Sequence, residues 1–567
     1  MRRHAGPISV VAIYAAFAVW VTAAWWTPLG ARFTAVNQRD AVLFSWLLTW
    51  TPHALAAGEP PLLATAQGVP DGVNLMWNNG MALPALLFAP VTAAWGGLAT
   101  VTVLVAVGLA GSATAAFGAL RALGATTLPA ALGGAAFGFS PAMVVQSLGG
   151  HPNLVFNVLV PVLVLLAVRL ATDERPRMHI AVLLGLLAAA QLLIGEEVLF
   201  LTGVVVGLLL LGLAAAHPAT ALRRAPRFLA LAAAALGTFV LLGGPLLAFQ
   251  LFGPLHQSGS PFPVGDFGVD LVNHVVPTAE QLIATPEDAA RTLEFPGGPE
   301  EHGGYLGWPL LVVAAAALVV CRRRTRVWVP ITVAAVVAVL AMGEQLRIDG
   351  QPTELALPWT LLAGLPGFEH VIASRLAMFT VGLVGAGLAF ALTSLRETPR
   401  TTRAAATALV VVALFPLVPA PLPAADAAAV PAFFATPAAR LCPGGSVLVL
   451  PFPAQNTTEP LRWQAKAGMA FAMPGGYFIG PAANGHAYLG GQPTYSGNLL
   501  QAVQYDGGVR AVTPDVRSAF AADVRRWRAC AVLLGPAPHV NALRDQVTAL
   551  VGHKPEFVDG VLLWRGL

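Results

Sequence analysis

Residues 36–55 read VNQRDAVLFSWLLTWTPHAL: a single acid, Asp40, opens a tryptophan-rich, mostly apolar run that ends at Pro52 and His53. The chain around it has 567 residues, 56% of them hydrophobic and 11% charged, with a mean hydropathy of +0.70. Soluble domains carry about 25% charged residues, so this is the composition of a polytopic membrane protein. The net charge is +4 and only two lysines occur, Lys466 and Lys554. The arginines cluster in short connections between apolar runs, which is a topological pattern and not a nucleic-acid-binding face. From Arg2 and Arg3 an apolar run reaches Trp26 with no small-residue cleavage site ahead of Trp25 and Trp26. It reads as a retained first helix entered from the cytoplasm.

A span needs about 20 apolar residues. Applied along the chain, that length predicts helices near 8–26, 98–122, 126–145, 153–171, 179–195, 198–216, 228–251, 304–321, 327–343, 375–395 and 404–421, about eleven in all. Alternate connections carry Arg2 and Arg3, Arg121, then Arg169, Arg175 and Arg177, then Arg223, Arg224 and Arg227, the RRRTR run from Arg322, and Arg396, Arg400 and Arg403. Lys and Arg accumulate in cytoplasmic loops, so the amino terminus is expected inside and the carboxyl terminus outside. Two apolar runs do not fit as spans. ALPALLFAPVTAAW, 82–95, is short and holds Pro84 and Pro90; the run 41–57 shows Ser45, Thr49 and His53 at spacings of four. Both are read as juxtamembrane or re-entrant helices of one outer loop, 27–97.

The connections 252–303 and 344–374 are long, and long structured loops usually carry function. The first holds Asp266, Asp270, Asn273, His274 and the EEHGGY run; the second leads into a span through FEHVIASR. Beyond 421 the composition turns to that of a soluble domain. GGSVLVLPFP, RACAVLLG and FVDGVLLW read as strands and NALRDQVTALVG as an amphipathic helix. The expected organisation is a helical transmembrane domain, 1–421, with a small extracytoplasmic α/β domain, 422–567. Cys442 and Cys530 each stand at or near a predicted strand start in that outer domain, where an oxidising compartment permits a disulfide. No zinc-like spacing occurs.

Locally, Asp40 has an ordinary explanation as a helix N-cap, since acids at helix starts accept backbone N–H bonds and suit the macrodipole. The layout adds another. RDAVLFSWLLTWTPHAL after the first span, LPALLFAPVTAAWG before the second and SRLAMF opening the tenth resemble the GT-C superfamily of membrane glycosyltransferases, and more specifically the GT-C-like membrane proteins of actinobacteria. The likeness covers the layout of residues 1–421. It implies an enzyme of the bacterial plasma membrane that moves a hexosyl or pentosyl unit from a polyprenyl-phosphate sugar to an extracytoplasmic glycan, lipid or protein of the envelope. It also implies that the loop acid, here Asp40, acts as base or helps hold a divalent metal near the acceptor. Many relatives have two adjacent acids there, whereas Arg39 and Ala41 flank Asp40, so the metal is left open.

Inverting transfer needs a base and a group to meet the departing lipid phosphate. Arg375, opening a span with His370 five residues before it, is the phosphate candidate, against plain interfacial snorkelling. His151 in LGGHPN is placed to line the same cavity, or is a loop histidine. Glu196 and Glu197 in LLIGEEVLF are candidate second acids, since carboxylates at membrane depth tend to face a cavity or a partner; a headgroup-level hairpin turn is the alternative. Glu59 in GEPP and Asp71 in VPDG complete the candidate acids, although both contexts favour solvated turns. Two other function classes compete: a transporter or flippase, which would place charges near the midplane and show repeated halves, and a non-catalytic envelope scaffold.

Overall fold

Where water is absent, a chain must satisfy its own backbone N–H and C=O groups, and the apolar runs do so as helices. The computed structural model describes residues 2–567, with side chains described from Gly6 onward. Among the described residues, seven helices are long and apolar enough to cross a membrane: Gly97–Ala122, Thr127–Leu148, Pro152–Thr172, Glu196–Ala216, Pro218–Phe252, Ala373–Ser394 and Arg400–Leu417. Shorter apolar helices stand at Gly6–Val21, Met178–Leu192, Trp308–Val320 and Thr325–Ala341, the four other positions where the sequence predicts a span. Leu211, Leu241, Val319 and Val320 project outward on these helices, each more than two-thirds exposed. Apolar side chains displayed this way need lipid rather than water around them. The protein is a multi-pass helical membrane protein.

Direct contacts gather the arginine-bearing connections on one face. Arg169 Nη2 donates to the Ala122 carbonyl at 3.2 Å, Arg227 Nη2 to Pro176 at 2.8 Å and Arg326 Nη1 to Leu123 at 3.0 Å. His217 Nε2 meets Thr325 Oγ1 at 2.9 Å, and Thr126 N donates to Thr393 Oγ1 at 3.1 Å. Arg2 and Arg3, expected with this set, lie outside the residues whose side chains are described. One expected connection is itself helical, because Pro218–Phe252 runs unbroken through Arg223, Arg224 and Arg227.

The loop 27–97 differs from expectation in a way that shapes the site. The 82–95 run is two short helices, Ala82–Leu87 and Ala89–Trp95, as its prolines require. Gln38–Ala57, however, is mostly buried instead of lying on the surface. Trp46 and Trp50, stacked 5.6 Å apart, are fully buried, and Trp46 Nε1 donates to Gln464 Oε1 at 2.7 Å. The expected polar stripe is neutralised internally: Ser45 Oγ donates to the Val42 carbonyl and Thr49 Oγ1 to that of Ser45, each at 2.8 Å. A helix apolar on nearly every side must be covered on nearly every side, and the cover is shared by Gly97–Ala122, Ala82–Leu87 and the segment beyond 421.

That segment forms a four-stranded sheet in the order Glu556–Val558, Val561–Arg565, Ala529–Leu534, Ser446–Leu450; the last pair is parallel and the others antiparallel. Strand residues alternate between faces. Leu448 and Leu450 pack with Val532, Leu534 and Trp564 under the helices Tyr495–Asp506 and Val540–Val551. Val447 and Val449 join the cluster that contains Trp46 and Trp50. The sheet therefore shares a core with the loop beneath it instead of hanging from the last span. Arg32–Thr34 pairs with Ala424–Asp426, closing the junction. FVDGVLLW, read as one strand, is a hairpin turning at Asp559 and Gly560, both at positive φ; Asp-Gly is the usual sequence of such a turn. Cys442 and Cys530 are joined by a disulfide, their Cα atoms 5.6 Å apart.

Candidate active site

Asn37, not Asp40, caps the Gln38–Ala57 helix: its side-chain oxygen accepts from Asp40 N at 3.3 Å. The local explanation of Asp40 as the N-cap is thereby set aside. Asp40 lies in the first turn, and its carboxylate faces a cavity of about 630 Å³. His151 reaches it from the connection between Thr127–Leu148 and Pro152–Thr172, with Nε2 2.8 Å from Asp40 Oδ2. Gly150, at φ +66°, makes the approach feasible, since a Cβ there would press on the Ala41 backbone. Asn37 Nδ2 donates to the same oxygen at 2.7 Å. Oδ1 accepts from the hydroxyl of Tyr477. Burial alone would raise the Asp40 carboxyl, but the hydrogen bond and charge of His151, with Tyr477 and Asn37, outweigh it and hold the group below the ordinary carboxylate range.

A second cluster lies across the same cavity. Arg375 Nε and Nη2 donate to Glu301 Oε1 at 3.1 and 3.0 Å, and Nη1 pairs with Glu197 Oε2. Ser374 Oγ donates to Glu301 Oε2 at 2.7 Å, and the Ile372 N–H to Glu197 Oε1 at 3.1 Å. Burial would push the Glu301 carboxyl up; Arg375 and Ser374 hold it down. Gln146 links the clusters, since its Oε1 meets His151 Nδ1 at 2.6 Å while its Nε2 donates to Glu301 Oε2 at 3.3 Å and the Glu300 carbonyl at 2.8 Å. With Asp40 on one ring nitrogen and Gln146 on the other, His151 bridges the two clusters.

The cavity also takes in Glu196 and His370. Glu196 Oε1 accepts from Gln250 Nε2 at 3.0 Å, and the His370 ring stands edge-on to Trp77 at 5.5 Å. Asp40, His151, Glu196, Glu197, His370 and Arg375 are thus brought together. Glu196 and Glu197 do not form the hairpin turn that was the alternative; they are the first residues of the Glu196–Ala216 helix. Glu59 and Asp71 stand apart. Glu59 accepts from Thr65 at 3.0 Å and Asp71 faces Arg526 at 3.7 Å, the solvated turn roles their Gly-Pro surroundings favour.

Arg375 is already held by two carboxylates, which a phosphate ligand opening a span does not require. The arginine on the cavity wall without an ion-pair partner among the described residues is Arg39, whose Nη1 reaches only Asn456 Oδ1 at 3.4 Å. Sequence reasoning missed Glu301 and Tyr477. Glu301 stood in the EEHGGY run without a partner in view. Tyr477 carried one signal, the glycine pair before it in MPGGYF. Gly475 and Gly476 both take positive φ, and a Cβ on Gly476 would meet Gln67 and the Phe478 ring. No group of three His, Cys, Asp or Glu side chains suited to a metal gathers among the described residues. Both Asp40 oxygens are engaged by hydrogen-bond donors. This donor set does not fit a divalent cation of the kind the superfamily resemblance brings.

A family known as Domain of unknown function (DUF6311) matches residues 10–418. The chain belongs to that family. This DUF6311 member matches no curated protein. Among solved structures it is similar to the arabinofuranosyltransferase AftD from Mycobacteria, seen by cryo-electron microscopy, with a TM-score of 0.58 and 15% identity over 100% of this chain and 40% of that one. It thus spans well under half of that relative's length. An oligosaccharyltransferase from Archaeoglobus fulgidus matches at TM-score 0.47 and 10% identity over 97% of this chain and 71% of that one. The same archaeal protein with zinc and sulfate gives 0.49 and 12% over 93% and 68%. The likeness of the DUF6311 chain to that arabinofuranosyltransferase is one of fold.

Proposed function

We propose that the protein is a membrane glycosyltransferase that moves a sugar from a polyprenyl-phosphate donor to an acceptor hydroxyl outside the cytoplasm, on an envelope glycan, lipid or protein. The observation that carries this reading is the cavity itself: Asp40, in a buried hydrogen-bonded setting, shares one wall system with Arg39, the Arg375 cluster and an apolar side built from Phe200, Phe239 and Leu251. Such a cavity suits a ligand that is polar at one end and lipid at the other.

Asp40 takes the proton of the acceptor hydroxyl. The freed oxygen electron pair bonds to the anomeric carbon, the bond from that carbon to the phosphate oxygen breaks, and the polyprenyl phosphate leaves with the pair and inverted sugar stereochemistry behind it. Arg39, with His370, meets the charge on the departing phosphate. Arg375 fixes the cavity wall by tying Glu197 to Glu301. The arrangement is read as eleven spans of a bacterial plasma membrane, 1–421, with the arginine face cytoplasmic and the 422–567 unit outside as an α/β domain. The positive-inside pattern of the arginine clusters supports that reading.

The test is sugar transfer by the purified protein from synthetic polyprenyl-phosphate sugars to envelope fractions. Product formation that rises with enzyme and needs the lipid phosphate is expected. Release of a nucleotide-linked sugar's activity only, with none from the lipid donors, would overturn the reading.

A further inference from the structure

Asp40 receives three hydrogen bonds, and their distribution between its oxygens is unequal. Oδ2 accepts from His151 Nε2 at 2.8 Å and Asn37 Nδ2 at 2.7 Å. Oδ1 accepts from the Tyr477 hydroxyl alone. An ionised carboxylate offers about four lone-pair sites, so Oδ2 is filled and one site is left, on Oδ1, beside the tyrosine. Tyr477 is also the sole member of this set that comes from beyond the last span. It is 7% exposed, and it arrives on a Gly475–Gly476 turn stitched to the first outer loop: Gly68 N donates to the Gly475 carbonyl at 2.9 Å and Asn78 Nδ2 to that of Ile479 at 2.9 Å.

We propose that Tyr477 is a positioning residue: its hydroxyl, delivered by the C-terminal segment, fixes the rotation of the Asp40 carboxylate and makes Oδ1 the atom that receives the acceptor proton. The role rests on the transferase reading for its catalytic consequence but not for its geometry. Burial and the neighbouring Asp40 charge keep the Tyr477 phenol protonated, well above its ordinary value, so it is a standing donor and not a second base. The other charged or titratable groups near the carboxylate are His151, Arg39 beside it in the chain, and Glu300, whose Oε1 is 3.5 Å from Asn37 Nδ2. None of these reaches Oδ1.

The prediction is read on Asp40 directly. Infrared difference spectra of the full-length protein in nanodiscs are recorded through an acid titration, and the carboxyl band missing from Asp40→Asn is assigned to Asp40. Its folded pKa is a depressed one, so loss of a donor raises it: in Tyr477→Phe the midpoint should move up by about 1 pH unit. In Tyr488→Phe, on an exposed tyrosine elsewhere on the segment, it should stay in place. Fluorotyrosine placed at 477 keeps the ring and strengthens the donor, and should move the midpoint down. An unmoved midpoint in both 477 variants overturns the proposal. The acid limb of kcat/KM for sugar transfer should follow the band upward in Tyr477→Phe. A band that moves while transfer is indifferent to Asp40→Asn leaves the clamp standing and removes the base.

Discussion

At the scale of single residues, the cavity is governed by the cost of taking charge out of water. An isolated buried carboxylate or guanidinium neutralises or disrupts its surroundings, whereas paired and hydrogen-bonded charges persist. Arg375 and Glu301 are 14% and 4% exposed at their side chains, and every polar hydrogen of that arginine facing Glu301 finds an oxygen. Replacing Arg375 would leave both Glu197 and Glu301 without their cation, and an uncompensated buried charge typically costs about 3–5 kcal/mol. Arg375→Gln should therefore lower thermal stability sharply even though it adds no bulk. A melting temperature within a degree of the parent protein would mean that the pair is hydrated and weak. The same logic separates Arg39 from Arg375: a partly exposed arginine with only an amide beside it can accept a new anion without first breaking an ion pair.

At the scale of elements, the site depends on turns that let backbone approach backbone. Gly476→Ala would place a methyl against Gln67 and Phe478 at a positive φ, and strain of this kind costs about 1–3 kcal/mol. Because the next residue is Tyr477, the substitution should also shift the acid limb of activity as Tyr477→Phe does. Unchanged stability and an unchanged pH profile would show that the turn tolerates a side chain. These turns also explain what the sequence could and could not display. Asp40, His151, Arg375 and the Glu196–Glu197 pair were readable because each sits where an apolar run begins or ends, and hydropathy locates such ends. Glu301 and Tyr477 sit in connections with no apolar period, and their roles exist only through contacts to residues 74 and 437 positions away. The hairpin at 556–565 was readable from Asp-Gly and was nevertheless absorbed into one strand, since apolar residues run on through both arms. The burial of Gln38–Ala57 was hidden for a different reason: part of its cover comes from the far end of the chain.

At the scale of the molecule, helices such as Pro152–Thr172, Glu196–Ala216 and Ala373–Ser394 each have one end at the cavity and the other at the arginine face. Reporter fusions at Arg175 and Gly507 should accordingly report opposite sides of the membrane; the same side for both would contradict the eleven-span topology. Docking of the C-terminal sheet onto the first outer loop makes the cavity a joint product of both parts of the chain, with Asp40 from one and the Tyr477 that meets it from the other. Everything in this arrangement converges on one carboxylate, and removing a general base commonly costs roughly 100-fold or more in rate. The direct measurement is sugar transfer by folded Asp40→Asn beside the parent protein, with a polyprenyl-phosphate donor: a loss of at least about 100-fold is expected, and transfer at the parental rate would contradict the role of Asp40 as base.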